Sequence, residues 1–501
     1  MASKTLREHL DVLVVGAGLS GIGAGSYLQR DCPWASYAIF ESRDAIGGTW
    51  DLFRYPGIRS DSDMYTLGYS FRPWDGEKSI ADGASILQYI RDTATEGGID
   101  GHIRFNHRIV AADWDSGSAH WLVTAERTDS GETVQVTAGF IFSCSGYYRY
   151  DHGYQPEFAG LDRFAGTVIH PQAWPDDFDA GGKKVVVIGS GATAVTLIPS
   201  LAETAEHVTM LQRSPTYIAS MPAKSPIAGL LKKVLPERYA GPAIRWFNAL
   251  ATQAFFQISR RQPKLIKKIL RKGLERQLPA GYDIGTHFTP RYNPWDQRMC
   301  VVPNGDLFKA ISNGSASVVT DTIDTFTDTG IRLASGTELP ADIVVTATGL
   351  ELLFLGGMEL TVDGEKVDLP SCRTYKGMML EGVPNLALAI GYTNASWTLK
   401  CDLTCDYVCR LLNRLHTTGQ RQCTPRNQDD SVGAGPILGL SSGYIQRSAH
   451  LLPKQGSTFP WQVHQSYLRD YRELKLCDLE DAVMEFSNPD HPAPAPVAVA
   501  S

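Results

Sequence analysis

Two glycine clusters in the 501-residue chain have the spacing of a phosphate-binding turn: Gly16-Ala17-Gly18-Leu19-Ser20-Gly21 and Gly189-Ser190-Gly191-Ala192-Thr193-Ala194. In the first, Gly16 permits a tight turn and Gly18 lets a pyrophosphate approach the backbone. Gly21 lets the following helix, read through Leu28, pack on its strand, and the helix N-terminus offers free N–H groups to the anion. The apolar run Asp11–Val15 supplies the strand before the turn, and a second strand, Tyr37–Phe40, ends in Glu41. Glu41 stands twenty residues after Gly21, where a ribose-binding carboxylate is expected. The second cluster follows the strand Lys184–Ile188 and, with Val195 after it, is the expected second dinucleotide-binding turn. Its next strand, Val208–Gln212, ends in Arg213-Ser214 instead of an acid. A guanidinium clamps a 2′-phosphate with paired charge-assisted bonds, so NADPH is expected over NADH.

Between the clusters, Phe164, Gly166, His170, Trp174 and Pro175 fit the pattern Phe-x-Gly-x-x-x-His-x-x-x-Trp-Pro completely. A linker here bridges two nucleotide units, and a His that donates and accepts beside a Trp N–H suits it. The pattern resembles the fingerprint of the class I, FAD-dependent Baeyer–Villiger monooxygenases. The loop Gly47–Tyr65, GGTWDLFRYPGIRSDSDMY, is similar to that family's flavin loop, in the branch that includes the ethionamide-activating monooxygenase. The likeness runs from Asp11 to about Tyr471, with four motifs in the family's order.

That resemblance implies site residues. Thr49, Trp50, Asp51 and Leu52 line FAD, with Tyr65 closing the same loop and Val110 touching the adenine. Asp61 lies near the flavin's reactive edge, and Arg59, Ser60 and Asp61 approach NADP. Arg298, partnered by Asp61, takes the transition-state-stabilising position. One departure is Gln297, where ketone-oxidising relatives carry a second base, so NADPH preference is expected to be less absolute. The implied reaction uses NADPH, O2 and a C4a-peroxyflavin to insert one oxygen beside a ketone carbonyl, giving an ester or lactone. The flavin supplies the difficult chemistry and the protein positions it. The substrate is a small apolar ketone or sulfur-containing compound, because relatives also oxidise sulfides and thioamides. An N- or S-oxygenase is the nearest rival. A disulfide reductase needs a paired-cysteine motif that is absent, and a non-catalytic flavin-holding sensor stands as the third reading.

The elements that must position these residues form an α/β fold: two Rossmann-like dinucleotide-binding domains, for FAD and NADPH, with a helical insertion. The expected FAD domain is residues 1–155 and 345–501. The NADPH domain is 156–220 and 295–344, with the insertion at 221–294. The strands expected on the return are Ala341–Gly349, ending in Ala347-Thr348-Gly349, and Leu386–Asn394. Arg104–Val110 also reads as a strand. In the insertion, Lys264–Lys272 is a basic run whose residues 265, 266, 269 and 270 share one helical face. This is read either as a solvated cationic subdomain, which could also roof an apolar pocket, or as a peripheral contact with anionic lipid.

Composition sets the class. A formal charge of −7 argues against a nucleic-acid binder, and no apolar leader or membrane-spanning run is present, so a cytoplasmic protein is expected, with peripheral membrane contact as the alternative reading of the basic insertion. Nine cysteines suit a reducing compartment. Cys401, Cys405 and Cys409 share a helix face, but C-x3-C-x3-C does not match zinc spacings, so they read as buried apolar thiols and no metal is expected. Asn488–Pro496 reads as a Pro/Ala-rich unstructured tail.

Overall fold

The structure, a computed structural model, describes residues 7–489; most of the Pro/Ala-rich tail lies outside them. Two large sheets organise it, the first mixed and the second parallel. In the first, His9–Val15 lies between Tyr37–Phe40 and Thr133–Ser143, parallel to both, with Val14 opposite Ile39 and Phe142. Burial of Val12–Val15 and Tyr37–Phe40 on both faces explains why these stretches read as unbroken apolar runs. On its side away from His9–Val15, the long strand Thr133–Ser143 serves two neighbours. Its first half closes an antiparallel meander with His107–Asp115 and His120–Arg127, and its second half pairs with Leu386–Leu388.

The second sheet has five parallel strands in the order Ala316–Thr320, His207–Gln212, Lys184–Ile188, Ile343–Thr346, Thr167–Ile169. The linker stretch therefore supplies an edge strand of this sheet. The chain leaves the first sheet after Ser143 and returns after Thr346, and the two crossings run side by side. Tyr148 bridges Leu352, Arg149 N donates to Glu351 O (2.9 Å), and Tyr154 N donates to Gly349 O (3.1 Å).

Several local readings shift. The first fingerprint helix runs Leu19–Asp31, one turn beyond Leu28, because Cys32 caps it back onto Leu28 O. Arg104–Val110 divides into Ile103–Arg104 and His107–Asp115, broken at Asn106 (φ +60°). Only Leu386–Leu388 of the 386–394 run is strand. Residues 221–294 contain the helices Pro226–Val234, Glu237–Arg261, Pro263–Glu275 and Ile284–His287. On the third of these, Ile266 and Leu274 are buried while Leu265 and Ile269 are exposed, so the protein covers only part of the apolar stripe. Cys401, Cys405 and Cys409 lie buried on the helix Trp397–Thr418, and all nine cysteines are free. No helix among the described residues is long and apolar enough to cross a membrane.

Candidate active site

Both glycine loops open onto one cavity of about 930 Å³. Gly16 has φ +96°, and a Cβ there would lie 2.9 Å from Cys144 O. Gly21 is tighter, since its Cβ would lie 1.8 Å from Gly16 O. The helices Leu19–Asp31 and Ala192–Leu201 both start without a side-chain cap or an acid in the first turn. Their first N–H groups are thus available to an anion. Glu41 is buried at the cavity wall and accepts from Ala17 N (2.7 Å) and Arg43 N (2.9 Å). Burial raises its pKa, with these hydrogen bonds opposing. It therefore pins the glycine loop as well as facing the cavity.

In the second loop, Gly189 (φ +134°) passes so close to Ala347 O that a Cβ would come within 2.4 Å, whereas Gly191 faces open space. Ser190 donates to Ser214 O (3.1 Å) and meets Thr216 Oγ1 (2.9 Å). Arg213 and Ser214 line the cavity, and Arg213 is exposed with no ion pair among the described residues. Ala192 and Thr193 line it too. Ala194 and Val195 instead pack into the core below, and Gly21 holds its loop from beneath.

The 47–65 loop divides in the same way. Thr49, Trp50, Arg59, Ser60 and Asp61 line the cavity, as does Ser20 of the first fingerprint, and Thr49 Oγ1 meets Tyr150 OH at 3.2 Å. Asp51 turns away from the lining, buried between Arg43 (2.7 Å) and Arg91 (3.1 Å), and Leu52 is outside the lining as well. Tyr65 faces a separate cavity of about 190 Å³ beside Tyr69, Arg245 and Asp402. Val110 is displaced from the lining by a register shift between Ile109 and Ala111, which leaves Arg108 and Ile109 there. Arg59 reaches across to Asp306 (2.5 Å), at the start of the helix Asp306–Ser312, tying this loop to the second sheet's domain.

Arg298 comes to the cavity from the segment after the helical insertion and meets Asp61 through two nitrogens, Nε–Oδ2 at 2.7 Å and Nη2–Oδ1 at 2.8 Å. Asp61 raises the Arg298 pKa further, so the guanidinium stays charged. Cys300, below them, is pushed up to about 12 by burial and remains a neutral thiol. Tyr147, Tyr148 and Tyr444 surround the pair, and burial raises all three phenols.

The linker residues Phe164, Gly166, His170, Trp174 and Pro175 are absent from the lining. Phe164 packs edge-on to Phe326, and Trp174 packs on Phe178. A Cβ on Gly166 would lie 2.4 Å from Asp342 O. His170 sits under the crossing chains: Gly153 lies against its ring, its Nδ1 accepts from Gln172 N (3.2 Å), and its buried Nε2 has no partner among the described residues. Sequence reasoning missed Tyr147, Tyr148, Tyr150, Tyr444 and Arg447, whose guanidinium lies 3.4 Å from the Tyr154 ring centroid. The run Tyr147-Tyr148-Arg149-Tyr150 directly after Gly146 was the one available signal.

Comparison with known proteins agrees with this architecture. Residues 74–378 match the flavin-binding monooxygenase-like family, and residues 14–73 match the NAD(P)-binding Rossmann-like domain. The chain is 53% identical over 495 residues to the FAD-containing monooxygenase EthA of Mycobacterium tuberculosis (strain ATCC 25618 / H37Rv), covering 99% of this chain and 100% of that one. It is 49% identical to the probable FAD-binding monooxygenase AlmA of Acinetobacter baylyi, over 96% of this chain and 97% of that one. Among solved structures, an oxidised steroid monooxygenase bound to NADP superposes with a TM-score of 0.71 at 24% identity, over 84% of this chain and 88% of the other. Cyclohexanone monooxygenase, in an open crystal structure, gives 0.68 at 19%, over 84% and 90%, and these two show the shared fold. With a matching family model over most of its length and such relatives over nearly all of it, the chain belongs to the flavin-binding monooxygenase-like family.

Proposed function

We propose that this monooxygenase uses FAD and NADPH to insert one oxygen atom from O2 beside the carbonyl of a small apolar ketone, giving an ester or lactone. The observation that carries the reading is the Arg298–Asp61 pair, set in the cavity onto which both glycine loops open. The residues fit the two cofactors. An uncapped helix start beside Gly18, with Glu41 across from it, suits the pyrophosphate and ribose of FAD. The open space over Gly191, the second uncapped helix and Arg213, which has no ion pair among the described residues, suit NADPH. The names of the relatives, FAD-containing and NADP-bound, support the same pair.

Bound FAD supplies electron storage and oxygen activation. The chain supplies the rest. Arg298 holds a fixed positive charge where the carbonyl oxygen gains negative charge, a preorganised donor that costs no rearrangement when the bond forms. Asp61 fixes the guanidinium plane through two bonds, which a lysine could not match. Tyr147, Tyr148 and Tyr444 wall the pair with neutral rings, lowering the local dielectric. Incubating the protein with NADPH, O2 and matched ketones and thioethers, with products identified by mass spectrometry, tests the assignment. Ester or lactone carrying one atom from labelled O2 is expected. Sulfoxide from the thioethers with no ester from any ketone would replace ketone oxidation by sulfur oxygenation.

A further inference from the structure

The helical insertion exposes apolar side chains in helical register. On Pro226–Val234 these are Leu230 (61% exposed) and Val234 (69%); on Glu237–Arg261 they are Phe247, Leu250 and Ile258. The last three fall within about 80° of arc at 100° per residue, a stripe facing away from the core. The third helix adds Leu265 and Ile269. Successive helices of the three pack on one another. Scattered exposed apolar residues need no explanation, but aligned stripes on neighbouring helices mark a surface that something covers.

Charge identifies the cover. Residues 221–276 hold thirteen Lys and Arg against two acidic residues, a formal +11 in a chain whose total is −7. Lys233, Arg261, Lys264, Lys268 and Lys272 have no ion pair among the described residues, and Lys268 and Lys272 flank Leu265 and Ile269 on the same helix face. A nucleic acid would engage the cations and leave Phe247 and Leu250 in water. A second copy in a two-fold dimer would set the same positive patch against itself. An anionic bilayer meets both needs, with headgroup charge for the lysines and an acyl boundary for the apolar stripe. No described helix can span a membrane, so the contact lies in the interface plane.

We propose that the helices Pro226–Val234, Glu237–Arg261 and Pro263–Glu275 dock the protein on an anionic lipid surface. The docked helix also grips the loop that carries Arg298, through Arg260–Asp296 (2.5 Å) and the edge-to-face contact of Phe256 with Trp295 (5.5 Å). Attachment does not depend on which substrate is oxidised, so it stands or falls separately from the reaction proposed above.

The test is co-flotation of the full chain with vesicles of phosphatidylcholine alone or mixed with phosphatidylglycerol. Binding to the mixed vesicles at low salt, release as ionic strength rises, and little binding to neutral vesicles are expected. The triple variant Lys264→Glu, Lys268→Glu, Lys272→Glu is expected to partition at least about tenfold less, since each surface cation contributes roughly fivefold. The variant Leu230→Ser, Leu250→Ser, Ile258→Ser is expected to lose binding to the mixed vesicles too, with flavin content and Tm unchanged. Should it fold poorly, the charge variant decides alone. Equal binding to both vesicle types, or binding unaffected by the charge reversals, overturns the proposal. So does a concentration-dependent dimer in sedimentation velocity without vesicle binding, which would make a second copy the cover.

Discussion

Arg298 and Asp61, 237 residues apart in the chain, form a two-point ion pair with one carboxylate oxygen on each of two guanidinium nitrogens (2.7 and 2.8 Å). Neither side chain can be rotated without breaking both bonds, so the charge is fixed in position as well as in sign. Arg298→Ala should keep its flavin and still be reduced by NADPH, while ester formation falls about 10²–10³-fold and NADPH oxidation yields H2O2 instead. Asp61→Asn should lose less, because it leaves the charge but frees its orientation. Product and peroxide assays under one set of conditions check both, and normal ketone oxidation by Arg298→Ala would remove that residue from the chemistry.

Arg213 is the exposed cation beside the second glycine loop. Arg213→Ala should lower kcat/KM for NADPH roughly 10–100-fold, the value of one charge-assisted contact, and leave NADH nearly unchanged. An unaltered ratio of the two cofactors would assign the 2′-phosphate contact elsewhere.

Two glycines should separate the cofactors. Gly21→Ala places a Cβ 1.8 Å from Gly16 O, which only a shift of the fingerprint helix can relieve, so the purified variant should be colourless or only weakly loaded with flavin. Gly57 (φ +75°) lies against the second domain's helix, where a Cβ would meet Ser200 Oγ at 2.2 Å and Thr196 O at 2.8 Å. Gly57→Ala should therefore hold flavin but show a raised KM for NADPH. Absorbance spectra and steady-state kinetics read the two outcomes apart.

His170 gives stability a pH dependence. Burial lowers its pKa below the ordinary 6.5, with the Gly349 backbone opposing. The unfolded chain takes up this proton near pH 6.5 and the folded chain only at lower pH. The contribution is therefore complete above 6.5 and is lost as pH falls through the depressed folded value. His170→Asn keeps an acceptor for Gln172 N but does not titrate, so its Tm should fall less than that of the parent between pH 7 and pH 5. Parallel melting curves for the two proteins over that range would exclude His170 as the sensor.

The two fingerprint turns, their strands and the order of motifs were legible in the amino-acid sequence alone. These are local: a glycine needed for φ near +96° at Gly16, or for the approach of Gly21 to Gly16 O, is dictated within a few residues and leaves a fixed spacing. Arg213 was legible for the same reason, as the residue that ends a strand. Side-chain direction in the 47–65 loop was not. Whether Asp51 faces the cavity depends on Arg43 and Arg91, and Tyr65 is drawn to a different cavity by Arg245 and Trp246 from the insertion. At Val110 one register shift inverted the two-residue alternation that would have aimed it inward. Folding alone brings Arg59 onto Asp306, sets Tyr444 and Arg447 against the cavity, and puts His170 under the crossings instead of in the site. These pairings join elements tens to hundreds of residues apart. No local pattern encodes such contacts, because what fixes them is the packing of one sheet's domain on the other.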